Sequence, residues 1–99
     1  MKKPHLQDKY SLFIDGQWKD ASDGATYDTF CPANGERLAS CAEATKEDVD
    51  AAVKAARAAF YHWADMSLED RLAIVRRYAD LLGEQKEALA LTIARETGK

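Results

Sequence analysis

The feature that most constrains the fold of this chain is a change in glycine and proline content near Thr45. Glycine and proline interrupt the chain at short intervals before that point, at Gly16, Gly24, Pro32 and Gly35. After it there is no proline, and glycine occurs only twice. Because both residues disfavour regular helix, the pattern predicts short strands and turns first and long helices afterwards. We expect a flexible N-terminus over 1–11, a β-hairpin region over 12–44 and a helical region over 45–99.

Two hairpins are predicted within the first region. The apolar run 12–14 precedes Asp15-Gly16, a pair that favours the positive φ angles of a tight hairpin turn, and a returning strand starts at Gln17. A second pair of strands is expected over 26–30 and 37–44, joined by the turn residues Pro32-Ala33-Asn34-Gly35.

Three helices are predicted in the second region. Thr45 and Ser67 each precede an apolar-periodic run and have an acid three residues later, the pattern of a helix N-cap. Apolar residues spaced by three and four mark the buried faces of the first two helices: Val49, Ala52, Val53, Ala56, Ala59, Phe60 and Trp63, then Leu72, Val75, Ala79 and Leu82. We expect Gly83 to end the second helix and a third helix to follow.

The predicted fold class is therefore an α+β fragment, with N-terminal β-hairpins followed by three amphipathic helices. Short hairpins are marginal in isolation and need a further layer to cover them. The third helix carries apolar residues on more than one side, including Leu89, Leu91 and Ile93. These features indicate an incomplete unit of a larger protein.

Charge and hydropathy exclude several classes of partner. A net charge of −3 argues against nucleic-acid binding, which needs a concentrated excess of Lys and Arg. No apolar stretch approaches the roughly 18 residues of a membrane span. The basic start Met1-Lys2-Lys3 is not followed by an apolar run, so we predict no signal peptide and a cytoplasmic protein with free thiols.

No catalytic or cofactor-binding residue is predicted from the residues themselves. Cys31 and Cys41 have no visible base or helix N-terminus to activate a thiolate, and small semi-buried thiols without chemistry are the simpler interpretation. The glycines are too far apart to form a phosphate-binding loop, and no Cys/His spacing indicates a zinc site.

Five segments, in order, resemble the N-terminal part of the aldehyde dehydrogenase superfamily. They cover about 88 of the 99 residues: LFIDGQW at 12–18, YDTFCPANGE at 27–36, DVDAAV through AARAAF and Trp63 at 48–63, RLAIVRRYADLL at 71–82, and ETGK at 96–99. Cys31 departs from the family pattern, which usually has Asn before the proline. Asn can tie that turn with its side chain, so the departure concerns the local stability of the turn.

The resemblance implies a cytoplasmic, homo-oligomeric oxidoreductase that converts an aldehyde to a carboxylic acid with NAD or NADP. In that family a cysteine thiolate attacks the aldehyde and a glutamate activates water, and both lie downstream of the matched segments. The chain alone is therefore expected to be a truncated part of the cofactor-binding domain, inactive and without a cofactor. The alternative is a stand-alone protein-interaction module or a truncated pseudo-enzyme.

One site follows from the resemblance by position. Some members of the family hold a structural K+ or Na+ near the cofactor domain, and the matching ligands here are Thr29, the backbone carbonyl of Phe30, and Glu96. The alternative is that Thr29 is an ordinary strand residue and Glu96 a surface acid near a helix end.

Overall fold

The computed structural model describes residues 6–99, which form an α+β arrangement with the strands before the helices. The strands are β1 (Lys9–Tyr10), β2 (Leu12–Ile14), β3 (Gln17–Lys19), β4 (Thr26–Phe30) and β5 (Arg37–Ala42). The helices are α1 (Lys46–Asp65), α2 (Leu68–Glu84) and α3 (Lys86–Thr97). The predicted fold class is confirmed.

Strands β2 and β3 form the predicted tight hairpin. Asp15 has φ 53° and Gly16 has φ 75°, the positive values that a two-residue turn of this hand requires. Phe13 pairs with Trp18 across the hairpin, and their ring centroids lie 4.7 Å apart. The Asp-Gly pair therefore sets the register that places two aromatic rings in contact.

The other three strands form a sheet in the order β1-β5-β4. Strands β4 and β5 are the predicted antiparallel pair, whereas β1 pairs with β5 in parallel, Lys9 opposite Ser40. Strand β1 lies within 1–11, where we predicted a flexible segment and no strand. The strand was not predicted because its two residues are too few to show an alternation of polar and apolar side chains, and because its partner, β5, is distant in sequence. Residues 1–5, including His5, lie outside the described part of the chain.

Both predicted N-caps are present. The Thr45 hydroxyl accepts the Asp48 N–H at 3.2 Å, and the Asp48 carboxylate accepts the Thr45 N–H at 2.9 Å, so the capping is reciprocal. Ser67 accepts the Asp70 N–H at 3.1 Å.

The predicted end of the second helix at Gly83 is wrong. Gly83 lies inside α2, and the break comes at Gln85, whose φ of −101° and ψ of 12° interrupt the helix for one residue before α3. Glycine only weakens a helix by roughly 0.5–1 kcal/mol, so it need not end one.

The predicted apolar faces of α1 and α2 are exposed in residues 6–99. Val53, Phe60 and Val75 are all more than half exposed. The side of α1 that does pack contains small residues: Ala51 and Ala55, with Ile14, line a cavity against the β2–β3 hairpin. The large side chains of the predicted buried faces are exposed because the described residues supply no layer over them.

The chain is more extended than a self-contained domain. Its radius of gyration is 16.8 Å, whereas about 13 Å is typical of a compact chain of this length. The buried apolar residues of the described part are small: Ala21, Cys31 and Ala39. Within residues 6–99 no helix is both long and apolar enough to cross a membrane.

Candidate functional site

The turn between β4 and β5 is closed by backbone hydrogen bonds. The Cys31 N–H donates to the Glu36 carbonyl at 2.8 Å, and the Gly35 N–H donates to the Cys31 carbonyl at 2.8 Å. The Asn34 carboxamide oxygen accepts the Glu36 N–H at 2.9 Å. The turn is therefore held without a side-chain contribution from Cys31, which is buried, and the departure from the family pattern at this position leaves the turn closed.

The C-terminal end of α3 lies against this turn. Gly98 caps the helix with φ 78°, and its N–H donates to the Ala94 carbonyl. A β-carbon at Gly98 would lie 3.1 Å from the Pro32 Cβ and 3.1 Å from the Ala33 backbone nitrogen. The contact is thus close enough that only glycine fits without a shift of the turn.

An ion pair makes a second link between α3 and the turn. The Arg95 Nη2 lies 3.3 Å from the Glu36 Oε2, and the Arg95 side chain is only 20 % exposed. Neither this pair nor the Gly98 contact was predicted from the sequence. The signal was present in part, because a glycine after the last helical residue is typical of a left-handed cap.

A cavity of about 330 Å³ lies between the sheet and α3, and it brings two of the three predicted cation ligands together. Thr29 on β4 and Glu96 on α3 both line it. The other described lining residues are Leu6, Tyr10, Leu38, Ala39, Cys41, Leu89 and Thr92. Phe30 is not among the lining residues, and it is 55 % exposed. The predicted role of Phe30 involves its carbonyl oxygen, not its ring.

The strands are irregular where the predicted ligands lie. Thr29 is opposite Ala39, but the next residue, Phe30, is opposite Arg37, which leaves Leu38 as an extra residue in β5. Such a bulge bends the strand and turns side chains away from the regular alternation. The Thr29 hydroxyl donates to the Ala39 carbonyl at 3.4 Å, a long bond that leaves the oxygen lone pairs free to accept a ligand.

Of the two cysteines, Cys41 lines the cavity and Cys31 does not. Cys31 is 6 % exposed and its backbone is committed to the turn. Cys41 is free and half-buried, and no His, Lys or Arg is among the described residues that line the cavity with it. Activation of a thiolate needs a neighbouring base or positive charge.

Two ionisable groups outside the cavity have shifted pKa values. Backbone N–H groups of Thr45 and Ser22 donate to Asp48 and lower the pKa of its carboxyl below the ordinary range. The hydrogen bond with Asp8 raises the pKa of Arg37, which also lies 3.3 Å from Asp28. Both groups are charged at neutral pH and link separate segments, which is a structural function.

The predicted cation ligands are all oxygen donors. Among residues 6–99 no three His, Cys, Asp or Glu side chains cluster in a way that could hold a metal ion. The predicted set consists of a hydroxyl, a carbonyl and one carboxylate, all oxygen donors with a single formal charge. Oxygen donors suit hard cations, and one negative charge matches a monovalent ion.

Comparison with known proteins gives a consistent result. A profile of the aldehyde dehydrogenase family matches residues 18–99. The N-succinylglutamate 5-semialdehyde dehydrogenase 2 of Caulobacter vibrioides is 51 % identical over 88 residues, which are 89 % of this chain and 18 % of that protein. The chain thus spans about a fifth of the length of the curated relatives it matches.

Solved structures agree in fold. The NAD-dependent aldehyde dehydrogenase from Sinorhizobium meliloti superposes with a TM-score of 0.89 at 37 % identity, over 95 % of this chain and 19 % of that one. The betaine aldehyde dehydrogenase from Staphylococcus aureus, solved in complex with NAD+, gives a TM-score of 0.88 at 37 % identity, over 98 % of this chain and 19 % of that one.

Proposed function

This chain belongs to the aldehyde dehydrogenase family and corresponds to its N-terminal region, and from that premise we propose that the protein oxidises an aldehyde to a carboxylic acid with NAD+ or NADP+. Family membership over residues 18–99 is the observation that carries the proposal. The names of the Caulobacter vibrioides and Sinorhizobium meliloti relatives support the dehydrogenase activity, and the NAD+ complex of the Staphylococcus aureus relative supports NAD+.

The described residues contribute to this function as a scaffold. No His, Lys or Arg is among the described residues that line the cavity with Cys41, and the shifted pKa values belong to structural links. The contribution of the chain is the β4–β5 hairpin and α3, which together form the cavity shared by Thr29 and Glu96.

The activity is tested with protein expressed from the complete gene. Aliphatic, aromatic and acidic semialdehyde substrates are each supplied with NAD+ or NADP+, and absorbance at 340 nm is followed. We expect reduced cofactor to form in proportion to the aldehyde consumed. If no aldehyde in the three classes yields reduced cofactor, the dehydrogenase proposal is wrong and an interaction module or pseudo-enzyme becomes the better interpretation.

We also propose that Thr29, the Phe30 carbonyl and Glu96 hold K+ or Na+. Thr29 and Glu96 are 67 positions apart in the sequence yet line one cavity, and this juxtaposition is the main support. The all-oxygen donor set with one carboxylate fits a monovalent ion. Such an ion would link the end of β4 to the end of α3.

The cation proposal is tested by thermal unfolding in KCl, NaCl and choline chloride at equal ionic strength. A cation that binds only the folded state raises Tm in proportion to its occupancy. We expect K+ or Na+ to raise Tm above that in choline, and Glu96→Gln or Thr29→Val to remove the difference. Glu84→Gln, at an exposed acid of α2, is the matched control. Equal Tm values in the three salts would contradict the site.

We further propose that the protein is a cytoplasmic homo-oligomer. The exposed apolar faces of α1 and α2 support its assembly with other polypeptide, because a stable protein seldom leaves contiguous apolar surface of this kind uncovered. The two free thiols support a reducing compartment. Light scattering of the protein from the complete gene tests the assembly, and a monomer at all concentrations would contradict it.

A further inference from the structure

We infer that Arg95 is a positioning residue: its ion pair with Glu36, together with the close contact of Gly98 on the β4–β5 turn, holds Glu96 at the cavity shared with Thr29. The inference rests on the proposed cation site for its functional meaning. It is carried by separate contacts, none of which involves Thr29 or Glu96.

The Arg95–Glu36 pair is better protected from solvent than other ion pairs of the described chain. The Arg95 side chain is 20 % exposed, against 48 % for Lys9 paired with Asp20 and 41 % for Arg37 paired with Asp8. Screening by water and salt weakens exposed pairs most. Of the three ion pairs, the Arg95–Glu36 pair is therefore the one best able to hold its side chains in a fixed orientation.

The helix geometry explains why this pair controls Glu96. Adjacent residues of an α-helix are about 100° apart around the axis, so fixing the direction of Arg95 also fixes the direction of Glu96. Gly98 lies against the turn two residues beyond Glu96, close enough that an added β-carbon would be 3.1 Å from Pro32 and Ala33, and thereby limits how far α3 extends along the turn. The two contacts flank Glu96 and set its rotation and its axial position.

The other end of the ion pair is itself rigid. The Glu36 carbonyl accepts the Cys31 N–H and the Glu36 N–H donates to the Asn34 side chain, so the backbone of Glu36 is bonded on both sides. Cys31 is two residues from Thr29 on the same chain segment. A displacement of Arg95 is therefore expected to change the position of Glu96 relative to Thr29, and not the shape of the turn.

The test measures two quantities in the same variants of the protein expressed from the complete gene. The first is the nuclear Overhauser effect between the Gly98 α-protons and the Pro32 β-protons, which reports docking of α3 on the turn. The second is the concentration of K+ or Na+ that gives half of the stabilisation. The variants are Arg95→Ala, Arg95→Lys, and the charge exchange Arg95→Glu with Glu36→Arg. Lys9→Ala, which removes another ion pair, is the control.

We expect Arg95→Ala to weaken the Overhauser effect and to raise the half-stabilising cation concentration roughly two- to fivefold, the scale of a partly exposed ion pair. Arg95→Lys and the charge exchange are expected to restore both at least in part, and Lys9→Ala to leave both unchanged. General destabilisation would lower Tm in choline without moving the cation midpoint.

Unchanged docking and an unchanged midpoint in Arg95→Ala would overturn the inference. If the parent chain shows no K+ or Na+ dependence, the proposed cation site fails. The Overhauser measurement then still decides whether Arg95 positions α3, so the two failures are distinguishable.

Discussion

Asp48, on the first turn of α1, accepts the backbone N–H of Ser22 at 3.0 Å although the two residues are 26 positions apart in the sequence. The same carboxylate oxygen accepts the Thr45 N–H, and the Ser22 and Thr45 hydroxyls lie 2.6 Å apart. Asp48 is only 3 % exposed. The start of the long helix is therefore tied to the loop that leads into β4 by one buried charge.

This arrangement predicts acid sensitivity. Hydrogen bonds from the Thr45 and Ser22 backbones lower the pKa of Asp48 below the unfolded value of about 3.9. Between the two pKa values the unfolded state binds more protons, so the stabilisation is complete above about pH 4 and is lost as the pH falls through the folded value. We expect Asp48→Asn to lower Tm at pH 7 and to flatten the dependence of Tm on pH below 5.

Asp50→Asn, at an exposed acid two residues along α1, serves as the control for that measurement. Melting curves followed by circular dichroism from pH 3 to 7 provide the comparison. If Asp48→Asn has the same dependence of Tm on pH as the parent, another carboxylate is responsible for the acid sensitivity.

The two helix caps are expected to differ in strength. Replacing a capping Ser or Thr by Ala costs about 0.5–2 kcal/mol. Thr45 has a reciprocal bond from Asp48 and contacts Ser22, whereas Ser67 makes a single cap bond. We expect Thr45→Ala to lower the free energy of unfolding more than Ser67→Ala does, by urea denaturation. Thr45→Ser retains the hydroxyl, and its free energy of unfolding should be close to that of the parent. The reverse order for the two alanine variants would argue against the network around Asp48.

Glycine-to-alanine substitutions are expected to have opposite effects at two positions. Gly98→Ala places a β-carbon in the left-handed region and against Pro32, and we expect a loss of about 1–2 kcal/mol from the backbone alone. Gly83→Ala lies inside α2 with no atom within 4 Å of the new carbon, and we expect a gain of about 0.5–1 kcal/mol. Urea denaturation of both variants against the parent measures the difference. A neutral Gly98→Ala would mean that the end of α3 is not docked in solution.

The isolated 99-residue chain is expected to have no aldehyde dehydrogenase activity. No described His, Lys or Arg lines the cavity with Cys41, and Cys31 is buried in the turn. Absorbance at 340 nm with aldehyde and NAD+ should match a blank without protein. Formation of NADH that disappears in Cys31→Ser or Cys41→Ser would refute this expectation.

Self-association of the isolated chain is expected through the exposed helix faces. Val49, Val53 and Phe60 are each more than half exposed on α1. Sedimentation should show a mass that rises with concentration, and Val53→Glu should reduce it. Lys54→Glu introduces the same side chain at a neighbouring polar position and should reduce it less. A monomer at all concentrations that melts cooperatively would identify a self-sufficient domain.

Local sequence signals predicted the strands, turns and helix starts of this fold better than they predicted which side chains are covered. Asp15-Gly16 and Thr45 act on their own neighbours, so the hairpin turn and the helix start could be read from the sequence. The break at Gln85 could not, because neither a glycine, a proline nor a capping side chain marks it. The exposure of Phe60 also could not, since an apolar stripe shows that a face needs cover but not which polypeptide supplies it.

The candidate site was predicted only through the family resemblance. Nothing in the local sequence of Thr29 or Glu96 indicates that they share a cavity, because the neighbours of each are unremarkable for a strand and a helix end. The juxtaposition is a property of the tertiary fold, in which α3 lies against the β4–β5 turn.

The contact of Gly98 with Pro32 also has a consequence for the order of folding. Hairpin and helix formation close short loops, whereas this contact joins residues 66 positions apart in the sequence. Closing a long loop costs more entropy and slows the contacts that depend on it. The hairpin of β4 and β5 and the three helices should therefore form before α3 docks. The cavity would then be the last part of the structure to assemble and the first to open in hydrogen exchange.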